Sequence, residues 1–496
     1  MSPAARLSNG TLPTLAGAVG PAYDRSTVEA GVVHVGLGAF ARAHVARYCD
    51  DLLASGVEQA AVVGASLRSG ATTRSLTPQD GLYTLIETDG RSSDLRVIGA
   101  VTALAEGPGA TIAALSAPAT TAVTLTVTEK GYHRAPAAGR PRLDLDDPDI
   151  AHDVAQPDDP RTLPGVLTAG LRRRRDCGAG GLTLISCDNL PANGEVTAAV
   201  VTELAAAVDP TLAEWIRANV AFPSTVVDRI VPATTDRERQ LVTARTGLVD
   251  AAPVLAETHC SWVIEDVPAS LTPLLVGWQR VGALLVDDVA PWQERKLRLV
   301  NGPHSALAYL GALAGHETID AAATDPDLGP FVAALMTREI VPTVSGGAAG
   351  SDDEDPTNVA DATLARFANP ALGHHTRQVA ADGTQKLRQR VLDPISVRLA
   401  AGDGIDRLAL VVAAWMAWVA HCVKSGEHLE DPLAGQLSDA VRGTGSTSGQ
   451  LARALFGTEA VFDPATAANE QLHRAVVRAL DLLHDRGPAA AARALT

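Results

Sequence analysis

The chain has 496 residues, 46% apolar and 20% charged, with a formal net charge of −16. That is enough apolar material for about two or three cores, and the missing basic surplus excludes nucleic-acid binding, which needs cations to replace phosphate counterions. The five cysteines, Cys49, Cys177, Cys187, Cys260 and Cys422, are scattered, odd in number and without a Cys-x-x-Cys pair, which argues for a reducing compartment and against a disulfide framework or a structural zinc site.

No charged n-region precedes an apolar core at the N-terminus, so no signal peptide and a cytoplasmic location are expected. Residues 1–28, rich in Pro, Gly, Ser and Ala, read as an extended arm. From Gly31 to about Val286 short β-branched runs alternate with helical patterns: Gly31-Val-Val-His-Val35, Ala61-Val-Val-Gly-Ala65, Ala122-Val-Thr-Leu-Thr-Val127 and Leu182-Thr-Leu-Ile185. Apolar strands between helices predict a parallel sheet covered on both faces. Gly36-Leu37-Gly38-Ala39-Phe40-Ala41 follows the first strand and opens a helical pattern running to about Leu53. This is the Gly-x-Gly-x-x-Ala form of the dinucleotide fingerprint. Gly36 allows the tight turn, Gly38 lets a pyrophosphate approach the backbone, and Ala41 lets helix and strand pack closely. An NAD site usually places an acid after the second strand. Here that strand runs into Ser66-Leu-Arg68 and on to Arg74, with no Asp or Glu before Asp80. Arg68 and Arg74 could face a 2′-phosphate, so NAD and NADP both stay open.

Two further strands end in polar clusters, Thr128-Glu129-Lys130-Gly131-Tyr132 and Ser186-Cys187-Asp188-Asn189. Ligands of doubly wound sheets bind beyond such strand ends, and Asn189 sits where a ligand-facing amide would sit. Asn193-Gly194 reads as a turn. Arg172 to Arg175 read as a solvated helix end. Asp228-Arg229 lies inside an apolar run and reads either as a structural ion pair or as part of a site.

From Pro291 onward the period becomes helical, with candidates at 293–314, 329–339, 360–368, 396–402, 405–424, 449–456 and 466–486. A boundary near residue 288 gives domains 1–288 and 289–496. Leu408 to Ala420 carries no charge, is too short to span a bilayer, and reads as a helix buried on all sides. Ser345 to Asn358 reads as a loop. Arg377 and the stretch Asp382 to Arg390, after Asn369-Pro370, read as a basic-polar patch on a surface loop. Within the first helical candidate, Lys296-Leu-Arg-Leu-Val-Asn301-Gly-Pro-His304 gathers an amine, a carboxamide and an imidazole. At about 100° per residue Asn301 lies roughly 140° and His304 roughly 80° round from Lys296, so all three share one side. Pro303 breaks the helical rule there, at about 3 kcal/mol for a helix interior, and a rule broken at a polar cluster points to a site.

Together these pieces resemble the mannitol dehydrogenase family, the polyol-specific long-chain dehydrogenases. The pieces are Gly36-x-Gly38-x-Phe40-x-Arg42-Ala43-His44, Thr126-Val-Thr-Glu-Lys-Gly-Tyr132, Ser186-Cys-Asp-Asn189, Phe222-Pro…Val-Asp228-Arg-Ile, Trp262-Val-Ile-Glu-Asp266 and Lys296-x4-Asn301-x2-His304. The resemblance implies an α/β Rossmann-type N-terminal domain, a mostly α-helical C-terminal domain, an active site in the cleft between them, metal-independent chemistry and a monomer. It places the general base on Lys296, the oxyanion-type amides on Asn189 and Asn301, and substrate-orienting groups on His304, Asp228 and Arg377. The cofactor turn comprises Gly36, Leu37, Gly38, Ala39 and Phe40, with Arg68 near the ribose. The expected activity is NAD(P)-dependent interconversion of a linear polyol and its ketose. The alternatives are a D-mannonate oxidoreductase (fructuronate reductase) acting on an aldonate and, more remotely, a decarboxylating β-hydroxyacid dehydrogenase. A dinucleotide sensor would have no use for Lys296, Asn301 and His304 together. The partners expected are a small polyol or aldonate, with no nucleic acid and no membrane. A free lysine titrates near about 10.4 and an efficient base near about 7–8, so burial and nearby cations are expected to lower the Lys296 amine. The chain departs from the family pattern at Ala41, where His is common, at the missing acid after the second strand, and at Glu257-Thr-His-Cys, where many members have Cys-Glu-Pro.

Overall fold

The computed structural model describes residues 4–68, 70–135, 140–268, 273–344, 355–445 and 447–496. The chain divides into two compact units, Met1–Ala290 and Pro291–Thr496.

The first unit is built on six parallel strands: β1 (Val32–Val35), β2 (Val62–Ser66), β3 (Val101–Glu106), β4 (Ala122–Leu125), β5 (Leu182–Ser186) and β6 (Val220–Ala221). Their order is β3-β2-β1-β4-β5-β6. The order reverses between β1 and β4, which is where doubly wound sheets open a crevice at their carboxyl ends. Strand period explains the layering. Val32, Val62, Ala122 and Ile185 face a core with Tyr48, Trp262 and Trp278. Val33, Val35, Val123, Leu125 and Leu184 face another, with Leu163, Val166, Val200 and Leu204. Two smaller sheets complete the unit. Tyr83–Thr88 lies between Val254–Glu257 and Ser93–Ile98, and Ser261–Glu265 lies between Thr225–Asp228 and Leu284–Val286. The N-terminal arm runs against this unit: Ala5–Arg6 pairs with Leu248–Val249, and Val19 bridges to Arg96.

Three local expectations change here. Asn193-Gly194 is not a turn but opens the helix Asn193–Val208. The buried Asn193 amide donates to the carbonyls of Ser186, Asp188 and Thr225, each at 3.1 Å, tying the end of β5 to the strand Thr225–Asp228. Arg229 does not pair with Asp228; it bonds Glu87, the Glu257 carbonyl and the Ala43 carbonyl. Of the arginines expected in a solvated helix end, Arg174 is 1% exposed and donates to the carbonyls of Leu115, Ala117, Ala179, Gly180 and Gly181. A buried guanidinium is tolerated where backbone oxygens occupy its donors.

The second unit is helical. Helix Asp406–Ser425 is long and apolar enough to cross a membrane by length and composition, contrary to the shorter run expected. It is a core helix, buried from Leu408 through Met416 and packed on Gly302–Ala314, Ala434–Arg442 and Glu470–Ala494. The last of these is broken at Gly487, just before Pro488. The loop expected at 345–358 falls outside the described residues as far as Glu354, and its end is instead helix Pro356–Phe367, capped by Asp355 on the Thr357 amide. The basic-polar stretch is likewise helical, in Thr376–Ala380 and Gly383–Leu387.

Three π-helical segments share one cause. Lys296–Asn301, Met336–Ile340 and Arg388–Leu392 each end one residue before an X-Pro step: Gly302-Pro303, Val341-Pro342 and Asp393-Pro394. In each, the residue before proline donates five residues back, Gly302 to Leu297, Val341 to Met336 and Asp393 to Arg388. A proline ring crowds the carbonyl four residues earlier and has no N–H. Widening the preceding turn relieves that crowding while keeping the backbone paired.

Candidate functional site

In the first unit the candidate site is the β1–β4 crevice. Gly36 has φ +97°, and a Cβ there would collide with the Thr126 carbonyl, so the turn between β1 and the helix Ala39–Ala43 requires glycine. Gly38 is extended, and a Cβ built on it would meet nothing nearer than the Gly36 oxygen at 3.8 Å. That open face is the approach a pyrophosphate needs, so the turn fits a dinucleotide. Leu37 is buried, and Phe40 stacks on His44 at 5.0 Å. His44 in turn bonds the Ser261 carbonyl at 2.9 Å, and buried Arg42 reaches the Ala252 carbonyl. Arg42 and His44 thus anchor the helix to neighbouring strands.

Beneath the turn, His34 is buried. Its Nε2–H donates to Thr126 Oγ1 at 2.9 Å and its Nδ1 accepts from Thr124 at 2.8 Å, a set satisfied by the neutral ring. Thr126 passes its own proton to the Gly36 carbonyl at 2.7 Å. Burial lowers His34 to about 4. Arg68 is exposed after β2, and Arg74 is paired with Glu106 at 3.5 Å at the surface.

The two polar strand ends are locked together. Asp188 accepts from the Val127 amide at 3.0 Å, the Thr128 amide at 2.9 Å and the Tyr132 hydroxyl at 2.7 Å. Burial pushes the Asp188 carboxyl up, against these bonds. Thr128 is held at φ +73° by this arrangement. Asn189, the next residue, is exposed beyond β5. Asp228 ends its strand half-buried, 3.4 Å from His259 Nε2. The sequence motifs contained the Asp188–Tyr132 and His34–Thr126 pairs but did not reveal their bonds, because each bond joins different strands.

In the second unit Lys296 begins the π segment, Asn301 ends it, and His304 lies in the first turn of Gly302–Ala314. The uniform 100° step does not apply across the wider turns, so the angles expected for a regular α-helix are superseded. Lys296 and Asn301 are half-buried. Buried Arg298, between them, bonds the Thr343 carbonyl and pairs with Glu294 at 3.2 Å, which pins the segment. The His304 ring stacks on Phe367 at 4.9 Å and meets His374 edge-on at 5.2 Å. Among the described residues its buried Nε2 has no hydrogen-bond partner, nor has Nδ1 of His374. Burial first, then His374, Arg390, Arg366 and Lys386, hold His304 well below the usual histidine range. Burial lowers His374 to about 4. Arg377 lies on helix Thr376–Ala380. It is exposed, paired with Glu427 at 2.6 Å and laid over Trp418. Among the described residues no three His, Cys, Asp or Glu side chains form a group that could hold a metal ion.

A family model for the mannitol dehydrogenase Rossmann domain matches residues 30–274, and one for the mannitol dehydrogenase C-terminal domain matches residues 288–484. The chain belongs to the mannitol dehydrogenase family. It is an oxidoreductase acting on CH–OH donors. The D-mannonate oxidoreductase of Escherichia coli (strain K12) is 38% identical over 477 residues, 94% of this chain and 96% of that protein. A mannitol 2-dehydrogenase of Cereibacter sphaeroides is 37% identical over 433 residues, 85% and 88% of the two chains. The solved structure of Pseudomonas fluorescens mannitol 2-dehydrogenase, a ternary complex with NAD and D-mannitol, is 32% identical, covers 99% of each chain and has a TM-score of 0.85. The family's Rossmann and C-terminal domains are thus the settings of the Gly36–Gly38 turn and of the Lys296–His304 segment.

Proposed function

We propose that this enzyme interconverts a secondary alcohol of a linear polyol and the corresponding ketose, with NAD or NADP as the redox partner and Lys296 as general base. The observation that carries this reading is the Lys296–Asn301–His304 run on one pinned π-to-α segment. The Gly36–Gly38 turn would hold the pyrophosphate, with the oxidised nicotinamide supplying the acceptor for the electrons that leave the carbinol carbon. Lys296 takes the hydroxyl proton at Nζ. Asn301 and Asn189 donate to the oxygen as alkoxide charge develops, and losing one such donor typically costs about 10²–10³ in rate. His304, kept neutral, has a ring nitrogen to offer a neighbouring hydroxyl, and Asp228 and Arg377 orient the rest of the chain of hydroxyls. With no acid following β2 and with Arg68 exposed there, NADP is accepted alongside NAD.

A second reading is an aldonate substrate. It is favoured by the cations Arg390, Arg366 and Lys386 acting on His304 and by the similarity to D-mannonate oxidoreductase, since a carboxylate is well matched by arginine. One assay separates the two: D-mannitol, D-arabinitol, D-sorbitol, D-mannonate and D-altronate, each with NAD and NADP, followed at the reduced-nicotinamide absorbance. Turnover of the neutral polyols alone supports the first reading, and turnover of the aldonates alone the second. Lys296→Ala should lower kcat by several orders of magnitude; near-full turnover would refute the assignment of the base.

A further inference from the structure

The π segments Lys296–Asn301 and Arg388–Leu392 pack against each other. A Cβ on Gly302 would lie 2.8 Å from the Arg390 carbonyl oxygen, so only glycine allows the backbone of Arg388–Leu392 to lie against the end of Lys296–Asn301. The Arg390 side chain makes a second link. Its Nη1 donates to Ser305 Oγ at 3.1 Å, and Ser305 Oγ donates to the Asn301 carbonyl at 3.0 Å. Ser305 is 2% exposed, so water does not compete for these bonds. A serine inside a helix often bonds back to the carbonyl four residues earlier and bends the helix. Here that bond falls on the last residue of the π segment, at the step where pairing changes from five residues to four.

We infer that Arg390 and Ser305 are positioning residues, a relay that holds the Asn301 end of the π segment in place and thereby aims the Asn301 carboxamide and, with it, Lys296. The relay rests on the proposed roles of those two residues. Pro303 sets the wide turn before it, but without the relay the Asn301 end of that turn is free to shift, and a shift of about 1 Å at reacting groups can cost on the order of 10²-fold in rate. Arg390 spans the gap as a charged donor to a neutral oxygen, so a lysine at 390 retains one donor for Ser305.

The test uses the full-length enzyme and D-mannitol or D-mannonate, whichever is turned over, at saturating cofactor. Ser305→Ala should lower kcat by about 10- to 100-fold with KM changed less than threefold on either substrate, and Arg390→Ala should lower kcat as much, with KM likewise held when the substrate is a neutral polyol. The double variant should be no slower than the worse single, because both break one chain of bonds. Arg390→Lys should restore most of the rate lost in Arg390→Ala. NADH binding, read by fluorescence titration, should be unchanged throughout. Ser305→Ala removes one buried oxygen and carries the test should Arg390→Ala not fold. If Lys296→Ala is inactive while Ser305→Ala stays within twofold of the parent kcat, the relay is wrong and the proposed chemistry stands. If Lys296→Ala is active, the chemistry fails first. Additive losses in the double variant would also overturn the relay.

Discussion

Asp188 is a carboxylate that burial pushes toward protonation and that Val127, Thr128 and Tyr132 hold with donors. The Tyr132 hydroxyl also lies 2.6 Å from Ser186 Oγ, so one phenol serves two buried oxygens. Tyr132→Phe removes that group and leaves its volume. Such a loss costs about 1–3 kcal/mol where a buried acceptor is stranded, and the thermal midpoint should fall by a few degrees. An unchanged midpoint would show that Asp188 finds another donor. Gly36 was legible beforehand from its place after a strand, while Lys296, Asn301 and His304 drew notice by their company and their roles are proposed. Side chains whose partners are remote in sequence were not legible. Arg229 meets Glu87 from 142 positions away, and Arg390 meets Ser305 from 85. No local pattern announces such a pair, which is why Arg229 was read with its neighbour Asp228.

The parallel sheet was legible at the level of elements because strands buried on both faces are mostly apolar along their length, as β1, β2, β4 and β5 are. The long core helix was legible for the same reason. The π segments were not, since a sequence read at 3.6 residues per turn has no place for a wider turn. Pro303 was the visible sign, and its consequence lay in the residues before it rather than in a helix break. This gives a prediction about the element itself. Pro303→Ala restores an N–H and removes the ring that crowds the carbonyl of Leu299. The preceding turn is then free to close to regular α geometry, which carries Lys296 and Asn301 round relative to His304. Turnover should fall at least tenfold while the thermal midpoint holds or rises, since alanine is the better helix former by about 3 kcal/mol. A midpoint lowered by several degrees with normal turnover would mean that the wide turn has another cause.

Each unit carries buried histidine, which sets the acid limit of the whole molecule. His34 lies under the cofactor turn with its pKa lowered to about 4 by burial, and in the second unit burial takes His374 to about 4 and holds His304 well below its usual range. In the unfolded chain these rings titrate near about 6.5. Between those values the unfolded chain binds more protons than the folded one, so stability rises with pH across that window. The contribution is complete above about pH 6.5 and is lost as pH falls toward about 4; for His34 it amounts to roughly 3 kcal/mol. Aspartates with lowered pKa, such as Asp209 at about 2 beside Arg175, act in a separate window, because they lose their contribution only as pH falls below about 4. The thermal midpoint should therefore drop already between pH 7 and pH 5, before those carboxylates titrate, and His34→Gln should flatten part of that slope. Because His34, still neutral in the folded chain at pH 5, also supports Thr126 and the Gly36 carbonyl, NADH affinity measured by fluorescence at fixed temperature should hold from pH 7 to pH 5 and weaken only as pH approaches about 4. A midpoint constant from pH 7 to pH 5, or an affinity that already falls there, would mean that these imidazoles take up a proton in the folded chain near their ordinary value, and the neutral network under the turn would have to be abandoned.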